Sequence, residues 1–124
     1  MIESPKKKTI LVIDDSRADL KFIESVLGAA GYRVIPCEVS VECIHLLIEH
    51  EPDLVLLDVR MPLLEGDSLC TLVRPHTSAK IVLHSGIEEA DLRALAESTG
   101  ACGYLRKTAD ADELLAGVRR FLEG

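Results

Sequence analysis

Five polar residues of this chain each stand at the end of a short apolar run, and their types belong together chemically. Asp14 and Asp15 follow TILVI, Asp58 follows LVLL, Ser85 follows KIVLH and Lys107 follows GYLR. Carboxylates held close repel one another, and at least one takes up a proton unless a cation shares the site. Hard oxygen donors with room for water suit Mg2+, which prefers an octahedral shell of one or two carboxylates, waters and a phosphate oxygen. The lysine adds positive charge beside such a cation, and the serine adds a donor that can turn toward an anion. The set describes a place to hold a dianionic phosphoryl group. Asp58, between the acid pair and the lysine, is the natural nucleophile, with cation and ammonium stabilising charge on the transferring oxygens.

These residues can meet only if the runs before them are neighbouring strands. Five runs qualify: Thr9–Ile13, Arg33–Cys37, Leu54–Leu57, Lys80–Leu83 and, more weakly, Gly103–Leu105. The best of them are continuous rather than alternating, as in strands covered on both faces of a parallel sheet. Amphipathic windows lie between. Ala18–Ala30 carries Leu20, Phe22, Ile23, Val26 and Leu27 and stops at Gly31; Ser40 can cap a helix running to about His50; Gly66–Val73 is ended by Pro75. Glu88–Ser98 begins with acids and is followed by Gly100, and Asp110–Leu122 ends with Arg119 and Arg120 in place for the helix dipole. A β-α unit repeated five times predicts a doubly wound α/β domain with right-handed crossovers and helices on both faces of a five-stranded parallel sheet. Its expected strand order is 2-1-3-4-5, flavodoxin-like. Ligands bind such folds outside the carboxyl ends of the strands where the order switches, between strands 1 and 3. That rim is where the acids, the serine and the lysine fall.

Composition narrows the function classes. A length of 124 residues with 48% hydrophobic content suits one domain with one core rather than a disordered chain. No apolar run approaches the ~20 residues that cross a bilayer, and the N-terminal run is too short for a signal peptide, so no membrane role and a cytoplasmic location are expected. The net charge of −7 argues against direct nucleic-acid binding, and the Lys6-Lys7-Lys8 cluster reads as a solvated tail. Cys37, Cys43, Cys70 and Cys102 form no Cys-x-x-Cys pair and have no histidine at finger-like spacing, so they read as free thiols, mostly in the core.

The segments ILVIDDS, DLVLLDVRMPLLEG, IVLHSG and GACGYLRK, in that order and each at a strand end, resemble the receiver domain of bacterial two-component response regulators, the family of the single-domain chemotaxis regulator. The likeness runs from about Lys8 to Leu122, with a tail over 1–8 and the receiver unit over 9–122. It implies that Asp58 accepts a phosphoryl group from a phosphohistidine of a sensor histidine kinase or phosphotransfer protein. It further implies that Asp15 and Asp58 ligate Mg2+ directly, that Arg60 offers its backbone carbonyl, and that Asp14 acts mainly through water. Lys107 would pair with the phosphoryl group, Ser85 would shift to hydrogen-bond it, and Tyr104 would swing into the space vacated. The face formed by helix 4, strand 5 and helix 5 would then change for a downstream effector protein, a two-state switch biased by phosphate. The domain would be no enzyme beyond its own phosphorylation and dephosphorylation, and its output would come from a partner or from further chain.

Several residues depart from the family pattern. Thr108 follows Lys107 where a proline with a cis peptide is usual. A cis bond before a non-proline costs ~2.5–4 kcal/mol against ~0.5–1 before proline, so either a strained bond or a rerouted loop is expected. Leu63-Leu64 stiffens the loop after Met61-Pro62, and Arg60 is placed to screen an aspartyl phosphate. His84, beside Ser85 on a strand, is expected to face a helix. Two other functions stay open: a degenerate receiver that docks proteins without phosphorylation, and a phosphatase of the haloacid-dehalogenase type. The phosphatase needs an acid two residues after the nucleophile, and Arg60 stands there. A Gly-rich nucleotide loop is absent from the sequence.

Overall fold

The first strand is apolar at every position because both of its faces are covered. The computed structural model describes residues 7–59 and 66–123. Five strands, β1 (Thr9–Ile13), β2 (Arg33–Cys37), β3 (Leu54–Leu57), β4 (Lys80–Ser85) and β5 (Gly103–Arg106), form one parallel sheet in the order β2-β1-β3-β4-β5. β1 and β3 are buried throughout. β2 is an edge strand with an exposed Pro36, which has no N–H to give to a ladder. The expected doubly wound, flavodoxin-like fold and its strand order are those observed.

Side chains alternate between two cores. Leu11, Ile13, Val55, Leu57, Ile81 and Leu83 pack against α2 (Cys43–His50), α3 (Gly66–Val73) and α4 (Glu89–Thr99). Ile10, Val12, Leu54, Leu56 and Val82 pack against Leu20, Ile23 and Leu27 of α1 (Arg17–Ala29) and Leu114 and Val118 of α5 (Ala111–Glu123). Each fully buried leucine here contributes ~1.5–3 kcal/mol, so both layers hold the rim above them rigidly.

The helix ends follow local chemistry, with two differences from expectation. Ser16 caps α1, its Oγ accepting the Asp19 N–H at 3.2 Å, and Gly31 follows the helix at φ 98°. Gly100 ends α4 in the left-handed region. Ser40 is not the cap of α2: residues Ser40–Glu42 form a 3-10 turn, and the helix starts at Cys43 behind Glu42, which makes no side-chain cap bond. β4 runs two residues beyond the expected Leu83, because His84 and Ser85 pair with Leu105 and Arg106 of β5. Pro75 does shorten α3, which passes into a 3-10 turn at Arg74–His76. Cys37, Cys43 and Cys70 are buried free thiols and Cys102 is exposed. No helix among the described residues is long and apolar enough to cross a membrane.

Candidate functional site

β1 and β3 run side by side in register, Ile13 opposite Leu57, so Asp14 and Asp58 occupy the next rung together. Both backbones are fixed there: the Asp14 N–H donates to Cys37 O at 3.0 Å and the Asp58 N–H to Ile13 O at 2.9 Å. Both acids are buried, Asp14 at 1% and Asp58 at 4% exposure, whereas Asp15 is exposed. Carboxylate oxygens of Asp14, Asp15 and Asp58 come within 4.8 Å of one another. The acid triad read from the sequence is thus one cluster.

Lys107 closes it. The backbone N–H of Lys107 donates to Ser85 O at 2.9 Å, extending the β4–β5 ladder past its end. Its ammonium lies 2.9 Å from Asp14 Oδ2, 3.3 Å from Asp58 Oδ2 and 2.7 Å from Asp19 Oδ2. The described residues include no cis peptide bond. Lys107 therefore reaches the acids with an ordinary trans bond to Thr108, so of the two expected outcomes the strained cis bond is not the one the chain adopts. The threonine instead serves the next helix: its Oγ1 accepts the Asp110 N–H at 3.1 Å and donates to Glu113 Oε2 at 3.2 Å.

The electrostatics are those of a crowded anionic pocket. Burial pushes the Asp14 carboxyl up to about 6, against the opposing pull of the Ser16 N–H and of Lys107. Asp14 Oδ1 accepts that Ser16 N–H at 2.9 Å. Its Oδ2 lies 2.9 Å from the ammonium as an ion pair but makes no hydrogen bond. Burial pulls the Lys107 ammonium down, yet the carboxylates of Asp19 and Asp14, and behind them Asp58, outweigh it and hold it above its ordinary range. An under-satisfied buried carboxylate oxygen beside two further acids fits a hard divalent cation with oxygen ligands.

Ser85 is fully buried at the end of β4, and its Oγ accepts the Ile87 N–H at 3.3 Å. Tyr104, half-buried on β5, packs against the core beside α4, and its hydroxyl oxygen accepts from Arg93 Nε at 3.2 Å. His84 is buried on the α1–α5 face, as expected of a residue facing helices. Burial, and behind it the charge of Lys107, push it down to about 4, so it is neutral at pH 7. Arg60, Met61, Pro62, Leu63 and Leu64 lie outside the described residues, and with them the proposed carbonyl ligand.

Two contributors escape the sequence reading. Asp19, in the first turn of α1, makes the shortest of the lysine contacts. Arg106 donates from Nε to Ile87 O at 3.0 Å and from Nη2 to Gly86 O at 3.4 Å, holding the loop that follows Ser85. The signal for Asp19 is an acid one turn beyond a strand-end acid pair, and for Arg106 a long donor beside the strand-end lysine.

Comparison with known proteins agrees with this geometry. Residues 10–119 match the family model described as the response regulator receiver domain. The chain is 32% identical over 123 residues to the transcriptional regulatory protein GltR of Pseudomonas aeruginosa, covering 96% of this chain and 50% of that protein. It is 34% identical over 114 residues to the response regulator MprA of Mycobacterium sp., covering 91% of this chain and 50% of that one. The chain thus spans about half the length of these curated relatives. Among solved structures, the chemotaxis protein CheY4 of Vibrio cholerae superposes with a TM-score of 0.86 at 23% identity, covering 94% of this chain and 100% of that one. A putative response regulator from Chloroflexus aurantiacus gives 0.85 at 29% identity, covering 96% and 100%.

Proposed function

The chain belongs to the response regulator receiver domain family, and from that premise we propose that Asp58 accepts a phosphoryl group from the phosphohistidine of a sensor histidine kinase or phosphotransfer protein. The observation that carries this reading is the Lys107 ammonium held between Asp14 and Asp58, at 2.9 and 3.3 Å. A carboxylate oxygen of Asp58 attacks phosphorus in line, and the P–N bond breaks with its electron pair leaving on the imidazole nitrogen. Lys107 donates to the phosphoryl oxygens as the bond to Asp58 forms. Burial of Asp58 keeps bulk water from competing and strengthens the attraction. Asp15 and Asp58 would hold Mg2+ directly, Asp14 mainly through water and Arg60 by its backbone carbonyl, and the cation would supply positive charge against those same oxygens.

Ser85 then exchanges its bond from the Ile87 N–H for one donated to the phosphoryl group, and Tyr104 turns inward behind it. The face of α4, β5 and α5 changes for a downstream effector protein. The unit that does this spans residues 9–122 behind a tail over 1–8, works in the cytoplasm, and catalyses only its own phosphorylation and dephosphorylation. Intact-mass measurement after incubation with acetyl phosphate and Mg2+ tests the reading. One acid-stable, base-labile phosphoryl adduct is expected, lost in Asp58→Asn. No adduct, or one that survives Asp58→Asn, counts against it.

A further inference from the structure

The acceptor, the acid pair and the lysine account for the proposed transfer, and Asp19 is left over. Yet Asp19 makes the shortest contact to the lysine, with Oδ2 2.7 Å from Nζ. The carboxylate is 41% exposed, on the solvent side of the ammonium, opposite the buried Asp14 and Asp58. Its backbone is fixed by the bond to Ser16 Oγ in the first turn of α1, where an anion is favoured by the helix dipole. An ammonium has three N–H donors, and three carboxylates surround this one. Lysine carries its charge on a flexible four-carbon stem, so its direction is set by what receives it.

Two of the three receivers, Asp14 and Asp58, also belong to the acid cluster that could hold a divalent cation. A cation bound there would repel the ammonium and compete for Asp14 and Asp58, so a lysine held by those two alone would be free to turn outward to water. Resting on the acceptor reading above, we infer that Asp19 is a positioning residue of this site, holding the Lys107 ammonium from the α1 side so that it stays beside Asp58 when the cation-binding acids are engaged. The contact ties α1 to the end of β5 across the rim.

The test compares the parent with Asp19→Asn, Asp19→Glu, Lys107→Gln and the double variant Asp19→Asn/Lys107→Gln. Two quantities are read: the rate of adduct formation from acetyl phosphate at saturating Mg2+, and the affinity for Mg2+ alone from amide shifts in NMR. Asp19→Asn is expected to slow the adduct by about fivefold, the scale of a part-exposed ion pair. It should also weaken Mg2+ by about fivefold as the released ammonium leans on Asp14 and Asp58. Asp19→Glu should recover most of both. In the Lys107→Gln background the asparagine should change neither, because the effect runs through the lysine. An unchanged or faster rate in Asp19→Asn overturns the inference, and so does an equal weakening of Mg2+ with and without Lys107, which marks a bare charge. A parent that takes no phosphoryl group removes the acceptor reading instead, while the Mg2+ titrations still decide whether Asp19 acts through Lys107.

Discussion

Asp14→Asn is expected to make the metal-free protein more stable at neutral pH, although it removes one partner of a buried ion pair. Asp14 is raised from an ordinary 3.8 to about 6 because burial outweighs the Ser16 N–H and Lys107. Between those two values the folded chain binds more protons than the unfolded one, so stability falls as pH rises from about 4 to about 6, and the full penalty is present above. A difference of about 2 corresponds to ~3 kcal/mol at ~1.36 kcal/mol per unit. That shift already nets out the attraction to Lys107; the asparagine keeps the bond from Ser16 N–H but buries an amide NH2 beside the ammonium at a cost of ~1–2 kcal/mol, which leaves a net gain of about 1–2 kcal/mol. For a domain of this size that is roughly 3–10 °C in Tm. Urea or thermal unfolding without divalent ions at pH 7.5 and pH 4.5 measures it. The variant should be the more stable at the higher pH, with the gap closing at the lower one. A variant less stable than the parent at pH 7.5, or a gap indifferent to pH, refutes the claim that burial dominates at Asp14.

Three further outcomes follow from contacts away from the acids. Glu51 ends α2 at φ 45°, ψ 62°, the left-handed region that costs a side chain ~1–2 kcal/mol. Glu51→Gly should therefore raise stability by about 1 kcal/mol in denaturant titration, and a loss would show that the side chain contributes more than the backbone suffers. The Arg74 guanidinium donates to the carbonyls of Thr99 and Gly100 at the C-terminal end of α4, so Arg74→Ala should cost ~0.5–1 kcal/mol and hasten amide exchange in the last turn of α4. Arg106→Ala should speed exchange of the Ile87 amide while moving global stability by no more than ~0.5 kcal/mol, since the side chain is exposed and binds only loop carbonyls. Unaltered protection at Ile87 would show that the Ser85 hydroxyl holds the loop alone.

The fold was legible because its signal is repetitive: continuous apolar runs at β1, β3 and β4 mark strands covered on both faces, and the windows between them carry one apolar stripe each. Topology then places strand ends, so Asp14, Asp58, Ser85 and Lys107 could be gathered at one rim without knowing any side-chain direction. What escaped depends on direction. Asp19 sits on a helix whose phase relative to the sheet is set by the packing of Leu20, Ile23 and Leu27, and an acid one turn beyond the Asp14-Asp15 pair does not by its spacing alone tell a lysine partner from a solvated side chain. The start of α2 was misplaced for a related reason. Ser40 is a good cap by residue type, but the chain first makes a 3-10 turn, and which turn becomes the first of the helix is decided by burial of Cys43 and Leu47. Thr108 shows the converse error. A departure from the family pattern at Thr108 points to a strained or rerouted backbone, whereas the lysine is held at its far end by carboxylates and not only by the backbone that follows it.

The position of that lysine explains how so much negative charge stays folded and why it remains responsive. Asp14, Asp19 and Asp58 contact one ammonium and Asp15 joins Asp14 and Asp58 in the acid cluster, so these four acids and one lysine carry a formal excess of three negative charges. The excess is graded by depth: Asp14 and Asp58 are buried, while Asp15 and Asp19 reach water, which screens them. The buried members bear the cost, as the raised Asp14 records, and the lysine is their internal counter-ion. Its backbone is bonded to Ser85 O, the Ser85 hydroxyl receives the Ile87 N–H, and Arg106, next in the chain, holds the carbonyls of Gly86 and Ile87. A change of charge at Asp58 therefore acts first on a group that β1, β3 and α1 hold by its ammonium and β4 by its backbone. Contiguity alone does not establish coupling. It does place two groups where a change at Asp58 is felt first: Lys107, 3.3 Å from Asp58 Oδ2, and Ser85, to which the Lys107 backbone is bonded.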